Sequence, residues 1–189
     1  MNTRSLLQSC STRNDFGTLL NELGLLGEGV EIGVYEGDYS EILLGSWKGK
    51  CLHLVDPWCY MNDYYDGMNA QDYICEARMQ KTIQRLEPWQ GRFQIHRKPS
   101  SEAALEIEQG TLDFVYIDAN HDYQHAAEDI RIWYPKLRSG GLLAGHDFCN
   151  ETTSWYTCGV QSAVEEFVRE KELELYLTQD AIISWFCLI

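Results

Sequence analysis

Phe16, Leu19, Leu20 and Leu23 recur at the spacing of one helical face, and Thr12 with Asp15 ahead of them reads as a capping box. Gly24 and Gly27 end that helix and lead into a buried strand that breaks at Gly33. The helix after the break carries Tyr39, Ile42, Leu43 and Trp47 on one side. Apolar runs mark further strands at 51–56, 92–96, 112–118 and 142–148, with Pro57 stopping the first of these. A weak helix with Ile74, Ala77, Ile83 and Leu86 precedes Pro88, and a short one opens at Ala103. A strongly amphipathic helix carries Tyr123, Ala126, Ala127, Ile130, Trp133, Tyr134 and Leu137, with Gly140 and Gly141 terminating it. The last helix places Val160, Ala163, Val164, Phe167 and Val168 inward, and runs at 173–177 and 182–189 form a terminal antiparallel pair.

Strands that alternate with helices call for a parallel sheet covered on both sides. The expected fold is therefore α/β: doubly wound, with a mostly parallel seven-stranded sheet and one antiparallel strand near the C-terminus. No repeat or Pro/Gly-rich linker divides the chain, so residues 1–189 read as one domain. Residues 1–27 form an N-terminal helical segment and 58–90 an inserted substrate lid, aromatic and polar over 58–72.

Charge narrows the partners. The formal net charge is −14, which disfavours any ligand held by phosphate contacts, nucleic acid above all. No apolar run suits a bilayer span, and the N-terminus lacks a signal-peptide pattern. The cysteines number seven, without a C-x-x-C pair, which reads as a reduced, cytoplasmic protein with no structural zinc site. Cys51 and Cys187 lie in apolar runs and are expected to be buried thiols.

The candidate chemistry falls at strand ends. Glu31, Asp56, Asp118 and the pair His146-Asp147 each close a strand, and open α/β sheets bind ligands along that edge. Gly33 and Gly37 allow a tight turn and close backbone approach to a nucleotide-like ligand. Tyr35 stands where a dinucleotide fingerprint would need glycine, which argues against a nucleotide-dependent dehydrogenase. An acid at Asp56 suits ribose hydroxyls, although an aspartate before proline also suits a turn.

The run Glu31-x-Gly33-x-x-x-Gly37 resembles the first motif of class I S-adenosylmethionine-dependent methyltransferases. Val55-Asp56-Pro57-Trp58, Tyr116-Ile117-Asp118 through His121 and Tyr123, and Gly140-Gly141-Leu142 through His146-Asp147 follow in the family's order. The chain is most similar to the bacterial small-molecule group called family 24, which includes sugar O-methyltransferases. That resemblance implies S-adenosylmethionine as cofactor, with its amino-acid end near Gly33, Tyr35 and Ser40. It implies that the ribose meets Asp56 and that the adenine lies near Trp58 and Ser101. Glu31 would support the turn or a polar group of the cofactor, and Gly37 completes the motif. Ser101 also suits a helix N-cap.

The resemblance further implies methyl transfer to a hydroxyl oxygen of a small acceptor, a sugar or natural product. Asp118, His121 and His146 are the catalytic candidates, since imidazole has a pKa suited to taking the acceptor proton. Metal-dependent relatives place one acid after the fourth strand and a pair after the fifth. Asp118 matches the first, and His146-Asp147 stands at the pair with histidine in place of a carboxylate. Mg²⁺ prefers oxygen donors, whereas Mn²⁺ or zinc tolerates imidazole. Trp155-Tyr156 and the 58–72 loop are expected to close over the acceptor. A non-catalytic S-adenosylmethionine-binding protein is the alternative, and a homo-oligomer stays open.

Overall fold

The structure, a computed structural model, describes residues 2–62, 68–153 and 157–189. Its centre is a sheet of seven strands: β1 (Glu28–Ile32), β2 (Cys51–Val55), β3 (Phe93–His96), β4 (Leu112–Ile117), β5 (Leu137–Gly145), β8 (Tyr176–Leu177) and β9 (Trp185–Leu188). The order across it is β3-β2-β1-β4-β5-β9-β8, with β1 to β5 parallel and β9 antiparallel to both neighbours. This is the architecture expected from the alternation of elements. A separate two-stranded ribbon pairs β6 (Glu151–Thr152) with β7 (Thr157–Cys158).

Every residue of β4 is buried, because apolar layers cover both faces of the sheet. Alternation along the strand sends Phe114 and Tyr116 to one layer and Val115 and Ile117 to the other. The first layer holds α2 (Phe16–Glu22) and α3 (Asp38–Ser46), whose Phe16, Tyr39 and Leu43 pack with Phe186. The second holds α6 (Tyr123–Trp133) and α7 (Val160–Lys171). The inward face of α7 is Val160, Ala163, Val164, Phe167 and Val168, as the periodicity requires. No helix among the described residues is long and apolar enough to cross a membrane.

Several local expectations are corrected. Helix α6 stops at Trp133, and Leu137 opens β5 instead of extending the helix to the glycines. Pro135 has no N–H to donate to the α-helical ladder, so Tyr134–Lys136 tightens into a 3-10 turn and the chain becomes extended at Leu137. Gly140, at φ +80°, instead lies within β5, where the pairing with β4 slips between Leu137 and Leu142. Ile42 is exposed, and Ser40 and Leu44 share the buried side of α3 with Tyr39 and Leu43. A short helix, α1 (Thr3–Ser9), precedes the expected first helix. Cys187 is fully buried, and burial pushes its thiol up to about 12, but Cys51 is only half-buried.

Helix α4 (Asp72–Arg85) shows a different buried stripe from the one its aliphatic residues suggest. Cys75, Thr82 and Leu86 face inward, while Ala77 and Ile83 are exposed. Thr82 tolerates burial because its hydroxyl donates to the Arg78 carbonyl at 3.1 Å. It packs under the turn after β1, where a Cβ on Gly37 would stand 2.9 Å from its methyl group. Of the expected lid, residues 63–67 lie outside the described residues, as do Trp155 and Tyr156.

Candidate active site

Strand order reverses at β1: β2 and β3 follow on one side, β4 and β5 on the other. The crossovers therefore diverge and leave a crevice above the C-terminal strand ends. A cleft of about 1120 Å³ occupies that position. Glu31, Gly33, Tyr35, Asp56, Trp58, Ser101, Asp118, His121, His146 and Asp147 all line it. Parallel register explains the convergence, since Ile32 pairs with both Val55 and Ile117 and the next residues emerge side by side. Asp118 N–H donates to the Ile32 carbonyl at 2.8 Å, and His146 N–H to the Ile117 carbonyl at 3.0 Å.

The turn after β1 is wound through left-handed backbone, with Gly33 at φ +87°, Tyr35 at +56° and Gly37 at +76°. Asp56 braces it. One carboxylate oxygen accepts the Val34 and Tyr35 N–H groups at 3.1 and 2.9 Å, and the other accepts Trp58 N–H at 2.8 Å. Burial pushes the Asp56 pKa up, and these three N–H donors oppose the shift. The acid still lines the cleft, but it also ties two loops together, a role that strand-end position alone does not reveal. Trp58 is 2% exposed and its indole N–H donates to the Tyr35 carbonyl at 2.8 Å.

Two predicted residues stand behind the cleft wall. Gly37 is buried against Thr82, and Ser40 is fully buried with its hydroxyl donating to Glu31 at 2.5 Å. Ser40 thus serves Glu31 and presents no surface to a ligand. Burial pushes the Glu31 carboxyl up to about 8, the Ser40 bond acting in the opposite sense. Ser101 lies inside α5 (Ser100–Ala104) without capping it; Pro99 is the N-cap.

A cluster of two histidines and two aspartates sits beside the turn. His121 Nε2 lies 3.2 Å from Asp147 and 3.5 Å from Asp118. His146 Nδ1 lies 2.8 Å from Asp147 and 3.7 Å from Asp118. Burial alone would raise the Asp147 pKa, but the two imidazoles hold it well below the usual carboxylate range. Ligand atoms of Asp118, His121 and Asp147 fall within 4.8 Å of one another, a donor set of two carboxylates and one imidazole. Such a set fits a divalent ion that accepts nitrogen. His121 takes the place in this trio that the sequence assigned to His146.

Arg13, Asp129 and Ser100 also line the cleft, and sequence reasoning missed them. Asp129 shares the apolar face of α6, and a carboxylate at a core position was the signal available. Ser100 donates to Asp129 and accepts the Trp133 indole N–H at 2.8 Å. Burial pushes Asp129 up to about 6. Arg13 carried no signal, because its arrival in the cleft depends on how the N-terminal segment packs.

A family model described as a methyltransferase domain, of the group numbered 24, matches residues 30–148. An uncharacterized protein of Acanthamoeba polyphaga mimivirus is 24% identical over 123 residues, 63% of this chain and 50% of that protein. The chain thus spans half the length of this curated relative. An O-methyltransferase of Bacillus cereus, solved with S-adenosylhomocysteine, superposes with a TM-score of 0.68 at 12% identity, covering 99% of this chain and 90% of that one. An rRNA methylase of Streptococcus thermophilus superposes at 0.59 with 13% identity, covering 98% and 92%. The fold is therefore shared with an O-methyltransferase and with an rRNA methylase. With more than half of its length matched by that family model, the chain belongs to the methyltransferase family.

Proposed function

We propose that this protein transfers a methyl group from S-adenosylmethionine to a hydroxyl oxygen of a small acceptor. The carrying observation is the convergence of the Gly33 turn, Asp56 and the Asp118–His121–Asp147 cluster on one cleft. Gly33, Tyr35 and Asp56 would hold the cofactor, which would supply the methyl group beside Asp118. In the reaction the acceptor oxygen forms a bond to the methyl carbon while the carbon–sulfur bond breaks. The bonding pair passes to sulfur and leaves a neutral thioether. The oxygen's proton passes to His121, whose imidazolium is stabilised by Asp118 and Asp147 on either side. The protein's contribution is alignment and this proton acceptance.

The grouping of three donor atoms within 4.8 Å favours a second version of the same function. Here Asp118, His121 and Asp147 hold a divalent ion, which would polarise the acceptor oxygen and lower the pKa of its hydroxyl. A net charge of −14 supports a small acceptor over a nucleic acid.

Calorimetry with S-adenosylhomocysteine, with and without Mn²⁺, tests the cofactor. Transfer of labelled methyl to a panel of polyhydroxylated acceptors tests the chemistry. Tight binding and acceptor-dependent transfer are expected. Binding without transfer to any acceptor would leave a cofactor-binding scaffold, and tight NAD binding in its place would point to a dehydrogenase.

A further inference from the structure

We propose that Arg13 is the carboxylate-recognition residue of this cleft and takes the carboxylate of the cofactor's amino-acid end. The assignment rests on the S-adenosylmethionine reading above and names a residue for it that lies outside the matched stretch of 30–148.

Arg13 is held firmly at its backbone. Its N–H donates to Asp180 at 2.8 Å, and its carbonyl accepts the Tyr39 hydroxyl at 3.1 Å. Asp15 secures the turn by accepting the Thr12 N–H at 2.8 Å. The guanidinium lies over the Tyr39 ring, 5.0 Å from its centroid, and faces the Tyr116 phenol. Stacking of this kind fixes the plane of the fork while leaving its edge to hydrogen-bond.

That edge is under-used. Arg13 makes one contact with a carboxylate among the described residues, a single Nη1 approach of 3.3 Å to Asp118. A committed arginine–carboxylate pair is two-pronged, with N···O of about 2.7–2.9 Å. The phenol of Tyr116 lies between the guanidinium and the Ser184 hydroxyl and is buried behind Arg13, outside the cleft lining. A guanidinium in the cleft wall whose one carboxylate contact is single and long keeps donors for an incoming anion.

Charge distribution selects which anion. The described lining includes the acids Asp56, Asp118 and Asp147, against two permanent cations, Arg13 and Arg78. Arg78 is already engaged: its guanidinium stacks on Tyr35 and donates to the Met68 carbonyl at 2.6 Å. An ammonium group has several acidic neighbours to choose from, whereas a carboxylate finds an available partner at Arg13. The cofactor's carboxylate belongs to the short chain attached directly to the reacting sulfur. It must therefore lie close to the cluster at Asp118, and Arg13 touches Asp118.

The test compares two ligands on three proteins. S-adenosylhomocysteine and its decarboxylated analogue, which keeps the amine, are titrated calorimetrically into wild type, Arg13→Ala and Arg13→Lys. Arg13→Ala should weaken S-adenosylhomocysteine by about tenfold or more and leave the decarboxylated ligand unchanged. Arg13→Lys should recover part of the loss, because a point charge replaces the fork. Retained affinity for the decarboxylated ligand shows at the same time that the variant cleft is folded. Equal losses on both ligands, or no loss on either, would overturn the assignment while leaving cofactor binding intact. Failure of the wild type to bind either ligand would overturn the cofactor reading itself, and this assignment with it. An acceptor carboxylate as the true occupant appears as unchanged affinity for both ligands, which also rejects the proposal.

Discussion

Gly33 and Asp118 are in backbone contact: a Cβ built on Gly33 would stand 2.0 Å from the Asp118 carbonyl oxygen. The turn after β1 and the end of β4 are therefore packed without space for a side chain between them. Gly33→Ala should destabilise the fold by about 2–4 kcal/mol, combining strain at φ +87° with a clash against main chain that cannot rotate away. Urea denaturation measures it. A variant as stable as wild type would show that the two segments separate at low cost.

Asp56 is expected to act twice. Asp56→Ala removes the acceptor for the Val34, Tyr35 and Trp58 N–H groups, so stability should fall by about 2–3 kcal/mol. Affinity for S-adenosylhomocysteine should fall about tenfold or more, since the turn loses its brace and the ribose its acceptor. Denaturation and calorimetry on the same sample separate the two effects. Weaker binding at unchanged stability would confine Asp56 to the ligand.

Glu31 makes stability depend on pH. Its folded pKa is pushed up to about 8 by burial, whereas an exposed glutamate titrates near 4.5. Its favourable contribution is complete below about pH 4.5, where both states are protonated. It is lost as pH rises through about 8, at up to about 1.4 kcal/mol per unit between the two pKa values. Glu31→Gln keeps an acceptor for Ser40 and should flatten this slope, so that the variant gains on wild type as pH rises from about 4.5 to about 8 and keeps that advantage above it. Parallel melting curves from pH 5 to 9 check the sign. Identical slopes in the two proteins would mean Glu31 titrates normally in the fold.

The role of His121 is resolved by two measurements on one variant. His121→Ala should lower kcat by about 10²–10⁴-fold with S-adenosylhomocysteine affinity intact. Mn²⁺ titration followed by electron paramagnetic resonance then distinguishes the versions. If an ion is held, wild type binds Mn²⁺ and His121→Ala and Asp147→Asn each weaken it about tenfold or more, with EDTA abolishing activity. If His121 is the base, wild type shows no specific Mn²⁺ and EDTA changes nothing.

Much of the architecture was legible in the residues because its signals are local. The unbroken apolar run of β4, the inward stripe of α7 and the glycines after β1 follow from alternation, helical period and allowed backbone angles. Placement of Glu31, Asp56, Asp118, His146 and Asp147 at strand ends was likewise enough to put them along one edge. Pro135 is a local signal too, since its missing N–H ends the α-helical ladder inside an amphipathic pattern that continues past it.

By itself the sequence determined the order of strands and helices and the set of polar groups that could reach the cleft. Only the tertiary structure decided what each group does there, because hydrogen-bond partners are set by packing between segments distant in sequence. Asp56 was readable as a strand-end acid, but its hold on Val34 and Tyr35 needs β1 and β2 side by side. Ser40 was readable in the motif, yet the turn of α3 points it back at Glu31. His121 and His146 both approach Asp118 and Asp147, a gathering of two loops that no residue spacing encodes. Arg13 crosses 105 positions to meet Asp118, so no local pattern could have announced it.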